Sequence, residues 1–170
     1  MGYDLPAAIG ACLASNKKST ICLAGDGSIM MNLQELQTIA HYKLPIKIFV
    51  LNNNGYISIR QTQKNFFGGQ LIGCCPKSGV SLPDFVEVGK SFGFKTVRIE
   101  NAEDLKLKIR KILSDCGPVL CDVIVDSEYE FTPKLSAKKL SDGTLVSPTL
   151  EDMYPFLDRE EFETNMIFKD

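Results

Sequence analysis

Short apolar runs alternate with helix-like segments along most of this chain, and that alternation constrains the fold more than any other feature. The β-prone runs occupy residues 19–24, 46–51, 95–99 and 119–125. Helical spacing of apolar residues occupies residues 4–16, 32–42, 83–92 and 102–115. The run 46–51 is almost continuously apolar, as expected for a strand covered on both faces. The pattern predicts an α/β fold, a doubly wound parallel sheet with helices on both faces.

The last part of the chain, residues 129–170, lacks this alternation and contains three prolines among charged clusters. Only residues 151–157 and 159–162 look able to form short helices there. The length of 170 residues suits one ordinary domain. We therefore predict a ligand-binding domain over residues 1–128 and an irregular C-terminal extension over residues 129–170.

Composition narrows the class of partner. A formal net charge of −2 and scattered lysines give no electrostatic reason to expect nucleic acid or an anionic membrane. The apolar runs are too short to span a bilayer, and the amino terminus lacks the basic and apolar regions of an export signal. We therefore expect a cytoplasmic protein without a nucleic-acid or membrane partner.

The cysteines do not form a recognisable metal or disulfide pattern. Four of the six lie in apolar stretches, where we expect them to fill the core: Cys12, Cys22, Cys116 and Cys121. The adjacent pair Cys74-Cys75 lacks the two-residue spacer of zinc and redox motifs, and His41 is the only histidine. The sequence therefore gives little support to a thiolate metal site.

Two polar segments follow the first two predicted strands. Gly-Asp-Gly-Ser stands at 25–28 and Asn-Asn-Asn-Gly at 52–55. The carboxyl ends of parallel strands form the ligand crevice of an open sheet, so these two segments should converge.

The first segment has the features of a diphosphate site. Gly25 and Gly27 allow a tight turn and a close approach of the backbone to an anion. Ser28 and the residues after it present free amides at the start of a helix, where phosphate binds well. On its own this four-residue sequence is more often an ordinary turn, and the second segment changes that balance.

A carboxylate beside a phosphate site requires a cation. Asp26 would repel a bare phosphate, and a divalent ion between them removes the conflict. Mg²⁺ takes oxygen ligands, and the side-chain oxygen of Asn53 and the backbone carbonyl of Gly55 are candidates to complete its coordination.

The two segments together carry a family resemblance. Gly-Asp-Gly at 25–27, twenty-four further residues and Asn-Asn at 52–53 resemble the thiamine diphosphate motif of transketolases, decarboxylases and acetolactate synthases. Met-Gly-Tyr-Asp-Leu-Pro-Ala-Ala-Ile-Gly-Ala at 1–11 and Asn-Leu-Gln-Glu-Leu at 32–36 are similar to the acetolactate synthase branch in particular. The resemblance covers residues 1–126.

The resemblance implies thiamine diphosphate and Mg²⁺ as cofactors. It implies three metal ligands, namely Asp26, Asn53 and the carbonyl of Gly55. It also implies diphosphate contacts from Gly27 and Ser28, and it places Met1 and Gly2 near the cofactor's rings. Tyr56 is a further cofactor-binding candidate, although an aromatic residue in such a segment can equally anchor a subunit contact.

In this family the cofactor serves as an electron sink while a 2-oxo acid loses carbon dioxide and the product adds to a second carbonyl. Activation requires a glutamate from a separate amino-terminal domain, usually of the neighbouring subunit, and no stretch of this sequence resembles that domain. The resemblance therefore implies a cofactor domain lacking its first strand, a need for that pyrimidine-binding domain from the same or another chain, and a homo-oligomer. Catalysis by this chain alone is not expected.

Three alternatives stay open at this point. The chain could be a stand-alone binding module that works with a separate chain, or part of a related 2-oxo acid decarboxylase. A nicotinamide-binding domain ranks below both, because Gly25 and Gly27 lack the third glycine of that fingerprint.

Overall fold

The computed structural model describes residues 1–129 and 131–166, together with the backbone but not the side chain of Lys139. It divides into two compact units, Met1–Ser127 and Glu128–Asp170. The sequence predicts a boundary after residue 128.

A four-stranded parallel sheet forms the centre of the first unit. Its strands are β1 (Thr20–Gly25), β2 (Ile46–Asn52), β3 (Lys95–Ile99) and β4 (Val119–Ile124). They lie in the order β1-β2-β4-β3, and every neighbouring pair is parallel. All four predicted strands are present, with ends within one residue of the predicted ones, and the predicted α/β class is confirmed.

Helices cover both faces of this sheet. They are α1 (Asp4–Ala14), α2 (Asp26–Ile29), α3 (Glu35–His41), α4 (Ile57–Phe66), α5 (Phe85–Ser91) and α6 (Leu105–Leu113). Leu5 of α1, Leu36 of α3 and Phe85 of α5 belong to one buried apolar cluster, whereas Ile112 of α6 belongs to a second. Consecutive residues of one strand, such as Leu120 and Cys121, enter different clusters because successive side chains point to opposite faces.

Two expectations about this unit need correction. The helix expected over residues 32–42 is preceded by α2 and a 3-10 turn at Met30–Asn32, so helical structure already begins at Asp26. Cys116 is exposed, because it follows α6 in the turn before β4, whereas the other five cysteines are buried as free thiols.

The second unit contains two short strands and one helix. β5 (Lys138–Lys139) and β6 (Leu145–Val146) pair antiparallel, and α7 spans Arg159–Asn165. The short helix expected over residues 151–157 is absent. Instead, Asp152 forms ion pairs with Lys138 and Arg159, which hold this segment in an irregular conformation.

Within the described ranges, no helix is both long enough and apolar enough to span a membrane.

Candidate functional site

The two polar segments meet at the carboxyl edge of the sheet. β1 and β2 are neighbours in parallel register, with Gly25 opposite Leu51, so the residues that follow both strands emerge side by side. The backbone N–H of Gly55 donates a hydrogen bond of 2.9 Å to Oδ2 of Asp26 and joins the segments directly. The convergence expected from the sequence is therefore present in the fold.

Asp26 is a buried carboxylate held by backbone amides. It is 1% exposed, and its other oxygen accepts the N–H of Gly27 at 2.8 Å. Burial raises the pKa of Asp26, and hydrogen bonds from the backbone of Gly55 and Gly27 oppose that rise. A cation beside the carboxylate would favour its charged form in the same way as these N–H groups, and more strongly.

Asn53 provides an unused acceptor at the same edge. Its side chain is buried, and Oδ1 has no hydrogen-bond partner within the part of the chain that the structure describes. Its backbone carbonyl accepts a hydrogen bond of 3.2 Å from Nη2 of Arg60, which helps to fix the backbone of Asn53. A buried acceptor without a partner is costly unless a ligand completes it, and an amide oxygen is a suitable ligand for Mg²⁺.

Gly55 occupies a position that excludes every other residue type. Its φ is +136°, and a Cβ atom there would lie 2.3 Å from the carbonyl oxygen of Cys74. That same carbonyl accepts the N–H of Tyr56 at 2.8 Å, so the loop around Cys74 presses directly on the turn. The role of the Gly55 carbonyl as a metal ligand remains a prediction.

Gly27 and Tyr56 pack against each other. A Cβ atom at residue 27 would lie 2.4 Å from Cε1 of Tyr56, so glycine is needed for the ring to rest on the start of α2. Tyr56 therefore packs on the predicted diphosphate turn, and its role in cofactor binding stays a prediction. Gly25, the last residue of β1, is half-buried beside it.

The first residues of the chain lie against the same turn. The N–H of Gly2 donates a 2.9 Å hydrogen bond to Oγ of Ser28, and its carbonyl accepts one from Nδ2 of Asn32. Gly2 is buried with φ +74°, while the side chain of Met1 is 68% exposed. The structure thus places Gly2 against Ser28. The position of Met1 and Gly2 near the rings of the cofactor stays a prediction.

Sequence reasoning missed several residues that build this edge. Asn32 holds Gly2, Arg60 holds Asn53, and Asp122 accepts a 3.0 Å hydrogen bond from Nδ2 of Asn52. The available signal was Asp122 itself, because a carboxylate in an otherwise apolar strand must find a partner.

The described residues contain no cluster of three or more His, Cys, Asp or Glu side chains that could hold a metal. A cation at this edge would therefore depend on the mixed set of one carboxylate, one amide oxygen and backbone carbonyls. Oxygen sets of this kind suit Mg²⁺ and do not suit zinc or copper.

Comparison with known families gives one match that covers most of the chain. A family model described as thiamine pyrophosphate enzyme, C-terminal TPP binding domain, matches residues 1–123. The matched region contains β1 to β3, β4 up to Val123 and every residue of the candidate site.

Several curated relatives are acetolactate synthase large subunits. The protein from Cyanidium caldarium is 43% identical over 139 residues, which is 82% of this chain and 23% of the relative. The protein from Porphyra purpurea is 38% identical over 139 residues, with the same coverage of 82% and 23%. The isozyme 1 large subunit of Escherichia coli is 33% identical over 133 residues, which is 78% of this chain and 23% of the relative. The chain therefore spans less than a quarter of the length of these relatives.

Proposed function

This chain belongs to the thiamine pyrophosphate enzymes, as an acetolactate synthase-like C-terminal cofactor-binding domain, and from that premise we propose that it holds thiamine diphosphate through Mg²⁺. We further propose that the whole enzyme decarboxylates a 2-oxo acid and transfers the product to a second carbonyl compound. Membership of this family identifies thiamine diphosphate as the cofactor. The metal, the residues that bind it and the reaction are proposals.

The unpaired Oδ1 of Asn53 is the observation that carries the metal proposal. This buried oxygen has no hydrogen-bond partner among the described residues, and it belongs to the segment whose Gly55 N–H binds the buried carboxylate of Asp26. Mg²⁺ ligated by both side chains and by the carbonyl of Gly55 would satisfy the amide oxygen and compensate the charge of Asp26.

The diphosphate would lie against the start of α2. Gly27 and Ser28 stand in its first turn, where the helix itself does not use the backbone N–H groups, and the N–H of Gly27 already donates to Asp26. Ser28 already accepts the N–H of Gly2, so a phosphate there would lie beside the first residues of the chain. Met1 and Gly2 would then face the rest of the cofactor.

When bound, thiamine diphosphate supplies the electron sink that decarboxylation of a 2-oxo acid requires. This chain's residues anchor and orient the diphosphate end. We propose that the group that activates the cofactor's pyrimidine comes from a further domain, in the same chain or in a partner subunit of a homo-oligomer.

One face of the sheet carries exposed apolar side chains, which supports the proposal that a further domain packs there. Ile21 and Leu23 on β1 are 55% and 67% exposed, although they point to the same face as the buried Phe49 of β2. α6 covers only the other part of that face, around β3 and β4. Exposed apolar side chains next to a covered core favour association with another domain.

A thermal-shift titration tests the cofactor proposal. Thiamine diphosphate with Mg²⁺ should raise the melting temperature of the chain, while Mg²⁺ alone should raise it little. A ligand at a hundred times its Kd adds about 2.7 kcal/mol to the free energy of unfolding. The shift should disappear in Asp26→Asn, which keeps the volume of the side chain but removes its charge and one of its two acceptor oxygens.

Asp115→Asn is the matched control, because Asp115 pairs with Lys95, the first residue of β3, at the opposite end of the sheet. It should keep the full ligand response. If the wild-type chain shows no shift, or if Asp26→Asn shifts as much as wild type, cofactor binding through Asp26 in this chain is wrong.

A further inference from the structure

A polar network crosses the sheet beneath the turn that carries Asn53. At its centre is Asp122 on β4, whose side chain is 1% exposed. Its carboxylate accepts a 3.0 Å hydrogen bond from Nδ2 of Asn52 and another of 3.0 Å from Nε of Arg98. Arg98 continues the network, because its Nη2 lies 2.7 Å from Oδ1 of Asp84, the residue that caps α5. Asp122 thereby joins β2, β3 and β4 directly, and Arg98 extends the connection to α5.

Both polar atoms of the Asn52 side-chain amide form hydrogen bonds in this network. Nδ2 faces Asp122, and Oδ1 accepts the backbone N–H of Asn54 at 3.2 Å. A carboxylate paired with an arginine only accepts hydrogen bonds, so it requires the NH₂ end of the amide. That requirement turns Oδ1 towards Asn54. Asp122 therefore determines which way the Asn52 side chain points.

The bond from Asn54 to Asn52 closes the turn around Asn53. Asn54 has a φ of +61°, a left-handed conformation that asparagine tolerates but does not prefer over extended ones. The side-chain bond stabilises that conformation, and the following Gly55 continues the turn with φ +136°. The position of the Asn53 side chain depends on this local geometry, since Asn53 lies between the donor and the acceptor.

We propose that Asp122 is a positioning residue for the cofactor's metal. By orienting Asn52, it fixes the turn in which Asn53 and Gly55 present their oxygens. It acts through Asn52 and touches neither the metal nor the cofactor. The metal part of this inference rests on the proposed function, whereas the orientation of Asn52 does not.

Asp122→Asn is the direct test. The replacement can donate as well as accept, so the Asn52 amide can turn over and lose its bond to Asn54. The exchange rate of the Asn54 amide proton, measured by NMR without cofactor, should rise. The Mg²⁺ concentration needed for half of the thermal shift, at fixed thiamine diphosphate, should rise about 10- to 100-fold, as for partners that orient a metal ligand.

Two further variants separate positioning from stability. Asn52→Ala should raise the Mg²⁺ midpoint by a similar factor, and the double variant should raise it no further than either single one, because both act through the same bond. Ile112→Ala removes a buried side chain of α6 on the other face of the sheet. It should lower the melting temperature but leave the Asn54 exchange rate and the Mg²⁺ midpoint unchanged.

The outcomes can be told apart. If Asp122→Asn leaves the Asn54 exchange rate unchanged, Asp122 does not position the turn, whatever the cofactor does. If exchange accelerates but the Mg²⁺ midpoint stays where it is, the turn does not serve a metal and the inference is overturned. A wild-type chain without any Mg²⁺ response would instead contradict the proposed function, and the exchange measurement would still decide whether Asp122 orients Asn52.

Discussion

Gly27 packs against the ring of Tyr56, and the contact leaves no room for a side chain at residue 27. A Cβ atom at residue 27 would lie 2.4 Å from Cε1 and 2.6 Å from Cδ1 of that ring. Gly27→Ala should therefore lower the free energy of unfolding by about 1–3 kcal/mol, the usual cost of overpacking. Chemical denaturation measures the loss. The double variant Gly27→Ala/Tyr56→Ala should show a smaller additional loss than the sum of the two single variants.

Gly10→Ala is the matched control for that substitution. Gly10 lies in the middle of α1 and is exposed to solvent. A Cβ atom there would contact nothing within 4 Å. Replacing an exposed helical glycine with alanine should raise the free energy of unfolding by about 1 kcal/mol. Equal effects of the two alanines would show that Tyr56 does not rest on Gly27.

At the residue scale, the sequence predicted the location of polar residues that directly follow an apolar strand. Asp26 and Asn53 could be placed at one edge of a sheet because each follows an apolar strand. Their neighbours Arg60 and Asp122 could not be assigned, because a single basic or acidic residue in a sequence does not identify its partner. The burial of Asp122 beside Arg98 depends on strand order, which periodicity alone does not determine.

At the scale of elements, α5 approaches the sheet through Gly89. A Cβ atom there would lie 2.6 Å from Cγ2 of Thr96 on β3 and 3.3 Å from Cβ of Leu120 on β4. Gly89→Ala should lower the free energy of unfolding by about 1–3 kcal/mol, since a helix or a strand must move. Adding Thr96→Ser removes the nearest methyl group and should restore part of the loss in a denaturation experiment. No rescue would mean that Leu120 or the helix backbone limits the approach.

The second unit depends on the charge of Asp152. Hydrogen bonds from Arg159, and then from Lys138, hold the pKa of Asp152 at about 2, below its usual value of 3.8. A carboxyl group whose pKa is lowered by folding stabilises the folded state above pH 4, and this contribution is lost as the pH falls towards 2. The NMR signals of Phe156, whose ring centroid lies 4.4 Å from Nζ of Lys138, should move over that range.

Asp152→Asn supplies the comparison for the pH experiment. It removes the titrating group, so the Phe156 signals should no longer move between pH 4 and pH 2. If they still move in this variant, a carboxyl group other than Asp152 causes the pH dependence of the Phe156 signals.

Most elements of the first unit followed from the sequence because strands and helices there are amphipathic or fully buried, and their periodicity survives in the fold. The start of helical structure at Asp26 did not follow, because α2 is one turn long and cannot show a period. The segment 151–157 looked able to form a short helix. Asp152 instead pairs with Lys138 and Arg159, which lie outside the segment, and this pairing overrides the local preference.

For the whole molecule, the uncovered face of the sheet predicts self-association of the isolated chain. Ile21 and Leu23 stand on β1, which is an edge strand of the described sheet and offers unpaired backbone groups as well as apolar side chains. Sedimentation velocity over a range of concentrations should show reversible association. Ile21→Thr/Leu23→Thr should reduce it, because threonine keeps a high β-propensity while shortening the apolar side chains.

The same double variant should cost little stability, because both side chains are more than half exposed. The pair Leu105→Thr/Leu107→Thr on α6 is the control for a general loss of exposed apolar surface, since these residues are 37% and 66% exposed on another element. If association depended on apolar surface of any kind, both pairs would reduce it equally. A reduction confined to the β1 pair would identify the open face of the sheet as the surface through which this chain associates with further protein.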